Sequence, residues 1–345
     1  MMNDYEALLC KGFIPDGEVD MTPRCPRDIL FRQGYIPQVC TAGAVSTARA
    51  LLKGHCNVME IAFEKGAAEA VSSVARQVPE MLVGVGGIKT AEQCRQSIDA
   101  GAKFVTCSEA NAEMAALCKE KDVAMILTCA DIAQLRDANA MGVSLVNYDW
   151  QVGEDNIRRL QELAAAAQLD MKFIVTLGEN TRDIGECAAA PFVLGVRGTW
   201  LQGACACKSH TEDRLITVCE DLLTEVLGYA VHHIGINTES ADAARALCDE
   251  LHDVFRMKLM DNGISSRFAG PGIEVMKRMY RGENGHFAIR TNNADRAILW
   301  LKEMGYEMDW ETKFPGHGPI NTIYIKDHSF GGFDIHLKQR PFPGL

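Results

Sequence analysis

At 345 residues the chain is longer than one ordinary core usually requires, so two domains are the default expectation. With 47% hydrophobic and 23% charged residues and no apolar run near the roughly 20 residues of a membrane helix, the composition is globular and excludes a helical span. A net charge of -11 without a clustered Lys/Arg stripe argues against nucleic acid and anionic membranes as partners, and for small-molecule chemistry.

The start, MMNDYEALLCKGF, lacks the basic and then apolar run of a secretory signal, so a cytoplasmic protein is expected. The 13 cysteines are scattered singly through apolar segments and read as free thiols. From Tyr35 onward, short β-branched runs recur about every 20 residues. The candidate strands are YIPQV from Tyr35, NVMEIA from Asn57, MLVGVG from Met81, KFVTC from Lys103, VAMILT from Val123, VSLVNY from Val143, KFIVT from Lys172 and FVLGV from Phe192. Segments of 3.6-residue periodicity lie between them, among them STARALLKG, AEAVSSVARQV, AEQCRQSIDAG, NAEMAALCKEK and EDNIRRLQELAAAAQ. Eight strand–helix units in this span predict a closed (β/α)8 barrel over residues 1–228, not a doubly wound sheet. Gly84-Val85-Gly86-Gly87 lacks the third glycine of a dinucleotide fingerprint. Ser209 and Glu212 form a capping box for a last helix through Leu227, with Gly228 as its stop. Cys205, Cys207 and His210 lie close together before that helix, but their spacing is no recognised zinc pattern.

After Gly228 the composition changes: seven of the nine histidines lie in this last third, which we take as a second, α+β domain over residues 229–345. The segment repeats itself. His233-Ile-Gly-Ile-Asn-Thr-x-x-Ala-Asp-x-Ala aligns with His286-Phe-Ala-Ile-Arg-Thr-x-x-Ala-Asp-x-Ala, and each copy runs through a helix to a final strand, where Glu274 and His336 hold equivalent places. His233, Glu274, His286 and His336 are therefore the candidate ligands of one divalent transition metal; imidazole and carboxylate donors suit Fe, Mn, Co, Ni or Zn without choosing among them. The alternative is four polar residues on exposed strand faces. Period-two alternation sends His232 to the opposite face of its strand.

Residues 231–340 resemble the vicinal oxygen chelate superfamily, which includes glyoxalase I and extradiol dioxygenases. The resemblance implies paired βαβββ modules with ligands on the first and last strand of each, and bidentate chelation of a substrate's adjacent oxygens. His336 departs from it, since many members carry Glu there. Residues 25–228 resemble the 2-keto-3-deoxy-6-phosphogluconate / 4-hydroxy-2-oxoglutarate aldolase family, through Val58-Met-Glu-Ile-Ala-Phe, Val83-Gly-Val-Gly-Gly-Ile-Lys-Thr-Ala-Glu-Gln, Phe173-Ile-Val-Thr-Leu-Gly and Val196-Arg-Gly-Thr-Trp-Leu. By that resemblance Glu60 is the general acid/base, and Thr176, Gly178, Gly198 and Thr199 hold a substrate phosphate or carboxylate. The family's Schiff-base lysine on the sixth strand is replaced by Asn147, an expected arginine by Glu64, and a threonine by Gly87. An amide forms no iminium. The resemblance also implies a homo-oligomer. The expectation is a metal-dependent enzyme acting on a 2-oxo or hydroxy acid; the alternatives are a carbon–carbon lyase using Glu60 with Lys65, Lys89 or a metal, and a barrel that serves as scaffold or ligand sensor.

Overall fold

The computed structural model describes residues 21, 25–151, 155–167, 171–201, 212–316 and 318–342. They fall into two compact units, one running to Leu227 and one running from Gly228. Ser209, Cys205, Cys207 and His210 lie outside the described residues. Among the described residues no helix is long and apolar enough to cross a membrane, and the described cysteines are free.

The first unit is the closed, eight-stranded parallel barrel that the strand rhythm predicts. Its strands are β1 (Tyr35–Val39), β2 (Val58–Ala62), β3 (Leu82–Ile88), β4 (Phe104–Cys107), β5 (Ala124–Thr128), β6 (Leu145–Asp149), β7 (Lys172–Gly178) and β8 (Val193–Gly198). The barrel closes where Tyr35, Ile36 and Pro37 pair with Val196, Arg197 and Gly198. The crossovers offer apolar residues to the strands, and four of them carry a side-chain cap at the first turn. Thr90, Asn111, Asp131 and Asp155 accept the backbone N–H of Gln93, Met114, Gln134 and Arg158, satisfying amides that a helix leaves open at its N-terminus. Phe104 fills the barrel's centre only because Gly84 is bare: a Cβ there would stand 2.3 Å from the ring. The helix Glu212–Leu227 follows β8.

The second unit is one mixed sheet of eight strands with two helices. In chain order it comprises β9 (Ala230–Ile236), the helix Ala241–Phe255, β10 (Leu259–Asp261), β11 (Ser266–Ala269), β12 (Ile273–Met276), then β13 (Gly285–Thr291), the helix Ala294–Glu303, β14 (Met308–Gly316), β15 (Gly318–Phe330) and β16 (Phe333–Gln339). The strands lie in the order β10-β11-β12-β9-β13-β16-β15-β14, which is symmetric about the central antiparallel pair β9 and β13. Each of these two has a parallel outer neighbour, β12 and β16 respectively. Each half buries its own apolar cluster, Ala244, Cys248, Ala269 and Val275 in the first and Ala297, Ile298, Ile323 and Leu337 in the second. The central four strands thus carry the residues that the repeat singles out.

Candidate functional site

Polar side chains from seven of the barrel strands meet at the C-terminal end of the barrel. Glu60 on β2 is completely buried and takes four donors. Arg197 on β8 grips both carboxylate oxygens, Nη2 to Oε1 at 2.6 Å and Nε to Oε2 at 2.9 Å. Thr106 Oγ1 on β4 donates to Oε2, and Gln38 Nε2 on β1 to Oε1, both at 2.7 Å. Burial by itself would raise the Glu60 carboxyl, but the Arg197 charge and these donors outweigh it and hold the group below the ordinary carboxylate value. Gly86 makes room for the pair, since a Cβ there would stand 2.1 Å from Glu60 Oε1.

The network continues across the barrel. Arg197 Nη1 donates to Thr176 Oγ1 at 3.2 Å, Thr176 donates to Asn147 Oδ1 at 2.7 Å, and Asn147 Nδ2 donates to Asp149 at 2.7 Å and Thr128 at 3.3 Å. The sixth-strand position thus holds an amide hydrogen-bonded on both of its ends. Glu64, in the segment after β2, is exposed and accepts from Thr41 Oγ1 at 2.9 Å. Gly87, at φ +80°, follows the bare Gly86. Lys65 and Lys89 are both exposed. Gly178 and Gly198 lie paired at the ends of β7 and β8. The expectation that the Thr199 amide is free to hold an anion is corrected: that N–H already donates to the Gly178 carbonyl at 2.8 Å, continuing the parallel β7–β8 pairing one residue past Gly198. The Thr176 hydroxyl is likewise engaged.

In the second unit, His233 on β9, Glu274 on β12, His286 on β13 and His336 on β16 converge. One ring nitrogen from each histidine lies within 4.8 Å of the others. Glu274 Oε2 is 3.1 Å from His233 Nε2 and 3.2 Å from His286 Nε2, and the two Nε2 atoms are 3.3 Å apart. All three histidines are buried. Surrounding groups orient them. His336 Nδ1 lies 3.1 Å from the Leu337 carbonyl, an acceptor only, so Nδ1 carries the proton and Nε2 the lone pair. Ser266 Oγ donates to Glu274 Oε1 at 2.5 Å. Gly235 leaves the space that the His286 ring occupies, since a Cβ there would come within 2.0 Å of it. His286 Nδ1 is buried without a hydrogen-bond partner. Burial opposes ionisation of Glu274, yet the His233, His286 and Ser266 hydrogen bonds hold its carboxyl far below the usual range. Burial pushes His336 down to about 3. A carboxylate and three imidazole nitrogens form a donor set that suits a divalent metal, which would replace the Nε2 hydrogens that His233 and His286 turn toward Glu274.

Residues 36–218, just over half of the chain, match the family of KDPG and KHG aldolases. The chain belongs to this family. Its relatives include a 2-dehydro-3-deoxy-phosphogluconate aldolase of Treponema pallidum, 30% identical over 159 residues, which are 46% of this chain and 75% of that protein. The KHG/KDPG aldolase of Escherichia coli K12 is 24% identical over 179 residues, 52% of this chain and 84% of that protein. Among solved structures, the KDPG aldolase of Legionella pneumophila, with pyruvate captured as a covalent carbinolamine, superimposes with a TM-score of 0.50 at 21% identity, over 57% of this chain and 97% of that one. At that identity the likeness speaks for the barrel fold. The chain is accordingly an enzyme of a carbon–carbon lyase family, with a second unit beyond the region these relatives share.

Two features of this aldolase-family chain escape the sequence reading. Arg197, Thr106 and Gln38 are the partners of Glu60, and the available signal was a lone arginine within the apolar run FVLGVRG, since a buried cation needs a counter-charge. His232 does not turn to the opposite face. The pairing of β9 with β13 shifts at Ala288/Ile289, so that His233 faces Ala288 while Val231 faces Ile289, and this bulge brings His232 Nδ1 to 2.8 Å from His233 Nδ1.

Proposed function

We propose that this is a metal-dependent enzyme acting on 2-oxo or sugar acids, built from an aldolase-family barrel over residues 1–228 and a metal-binding domain of the vicinal oxygen chelate type over residues 229–345. The reading of the second unit as paired βαβββ modules is supported by the doubled order of strand, helix and three strands. Each copy contributes two of the four donors, one from its first strand and one from its last. The observation that carries the proposal is their convergence: the Nε2 atoms of His233 and His286 both crowd Glu274 Oε2 at 3.1 and 3.2 Å. A cation at their centre makes all of these approaches favourable at once. His233, Glu274, His286 and His336 would hold the metal, which would act as a Lewis acid toward adjacent substrate oxygens; Fe, Mn, Co, Ni and Zn all suit these donors. The chain's own part is positioning: Ser266 fixes the Glu274 carboxylate, the Leu337 carbonyl fixes the His336 tautomer, and His232 abuts the outer nitrogen of His233. Elemental analysis tests this. Near-stoichiometric transition metal is expected in the wild type and its loss in the His233→Ala, His286→Ala double variant; a metal-free wild type after supplementation sinks the proposal.

A second reading, carbon–carbon cleavage at the barrel mouth, is favoured by the family membership and by the ionised Glu60 at the end of a continuous polar network. With Asn147 on β6 and Arg197 beside Glu60, that chemistry proceeds without an imine, because an amide and a permanently protonated guanidinium are not amine nucleophiles. Borohydride added with pyruvate is expected to leave the protein's mass unchanged. A reduced adduct mapped to Lys65 or Lys89 establishes an imine route instead.

A further inference from the structure

The face of the second sheet that carries the proposed ligands also carries two cations with no ion-pair partner among the described residues. Residues in register on neighbouring strands project to one face, and β13 and β16 set Ala288 beside His336 and Arg290 beside Lys338. Arg290 and Lys338 therefore stand on the same face as His336, two residues further along, a rise of about 7 Å. The bulge at β9 brings His232 toward the same place, close enough for the Arg290 and Lys338 charges to act on it. Arg290 Nε is buried with no hydrogen-bond partner. Neither Arg290 nor Lys338 forms an ion pair among the described residues; their nearest acid of the ligand set, Glu274, gives its oxygens to His233, His286 and Ser266.

We infer that Arg290 and Lys338 form an anion site beside the metal ligands, so that this unit takes a 2-oxo or 2-hydroxy acid bearing a second anionic group at its far end. The inference rests on the metal site proposed above. The chelating end of such a molecule occupies the ligand row, and its distal carboxylate or phosphate lies a few carbons away, within reach of a guanidinium and an ammonium that have no ion-pair partner among the described residues. Distal charge, rather than chain length, then sets specificity.

Calorimetric titration of the full-length, zinc-loaded protein tests this, with three probes: 2-oxoglutarate, 2-oxopentanoate of equal length but a neutral end, and 3-phosphoglycerate. The wild type is expected to bind 2-oxoglutarate or 3-phosphoglycerate at least tenfold more tightly than 2-oxopentanoate, and whichever is tighter identifies the distal group as carboxylate or phosphate. The preference is expected to vanish in the Arg290→Gln, Lys338→Gln double variant and to survive in Lys338→Arg, with zinc content unchanged in both. A preference that persists in the double variant at full zinc content overturns the inference, as does a wild type that binds all three probes alike. Should the double variant not fold, Lys338→Gln alone carries the same comparison. A wild type that takes up no zinc defeats the metal proposal instead, and titrations of the chelated protein then decide the anion site: a distal-charge preference lost in the variants supports it, and its absence in the wild type overturns it.

Discussion

Replacing Arg197 with alanine will lower the unfolding free energy of the barrel by about 3–5 kcal/mol at neutral pH, the usual consequence of deleting one partner of a buried ion pair. Glu60 is 0% exposed, and without Arg197 only Thr106 and Gln38 remain to satisfy an ionised carboxylate that water cannot reach. The pH dependence should change sign. In the wild type the folded carboxyl lies below its unfolded value, so its contribution is complete above the ordinary glutamate pKa of about 4.3 and is lost as the pH falls through the lower folded value. In Arg197→Ala the desolvation cost is opposed only by the Thr106 and Gln38 hydrogen bonds, so the folded pKa rises and stability is lost as the pH climbs above the unfolded value. Between pH 5 and pH 7.5 the Glu60 contribution to urea unfolding should therefore stay constant in the wild type and fall in Arg197→Ala. Removing both charges in Glu60→Leu, Arg197→Met should recover most of the loss, since well-packed apolar replacements of a buried pair are often neutral. An Arg197→Ala protein within about 1 kcal/mol of wild type at pH 7.5 shows that the pair is not what holds the barrel mouth.

If the proposed site holds a metal, removing it will be felt on four particular strands. A ligand that binds only the folded state adds about 4 kcal/mol at a thousandfold excess over its dissociation constant. The donors sit on β9, β12, β13 and β16, so amide hydrogen exchange along these strands should slow by roughly three orders of magnitude when metal is restored to chelated protein. The barrel strands β1 to β8 serve as the internal reference and should not change. Protection should fall again as the pH is lowered, because protons compete for the imidazole lone pairs and the Glu274 carboxylate. Exchange on β9 and β13 that ignores added metal places any bound ion elsewhere.

Much of the fold was legible because it is written in local patterns. Apolar β-branched runs such as FIVT from Phe173 need only themselves to announce a strand, and the eight runs give the barrel. The repeat was legible because it preserves the polar positions Asn237-Thr238 and Arg290-Thr291 after each leading histidine, along with the apolar ones. What the sequence concealed depends on meetings across the fold. Glu60 and Arg197 are 137 residues apart, and nothing near either one names the other. The Thr199 amide was misjudged because how far a strand ladder runs depends on the partner strand, and here the β7–β8 pairing extends to Gly178. His232 was assigned by strict alternation, which a one-residue bulge overrides without leaving a mark in residue type.

The division of donors between the two halves of the second sheet governs when the site can come into being. During synthesis His233 and Glu274 emerge together with β9 and β12, but the partners they face belong to β13 and β16, the latter completed only at Gln339. A chain halted between the copies would present only two of the four proposed donors, His233 and Glu274. On the proposed site, metal capture would therefore wait until the second copy has folded against the first.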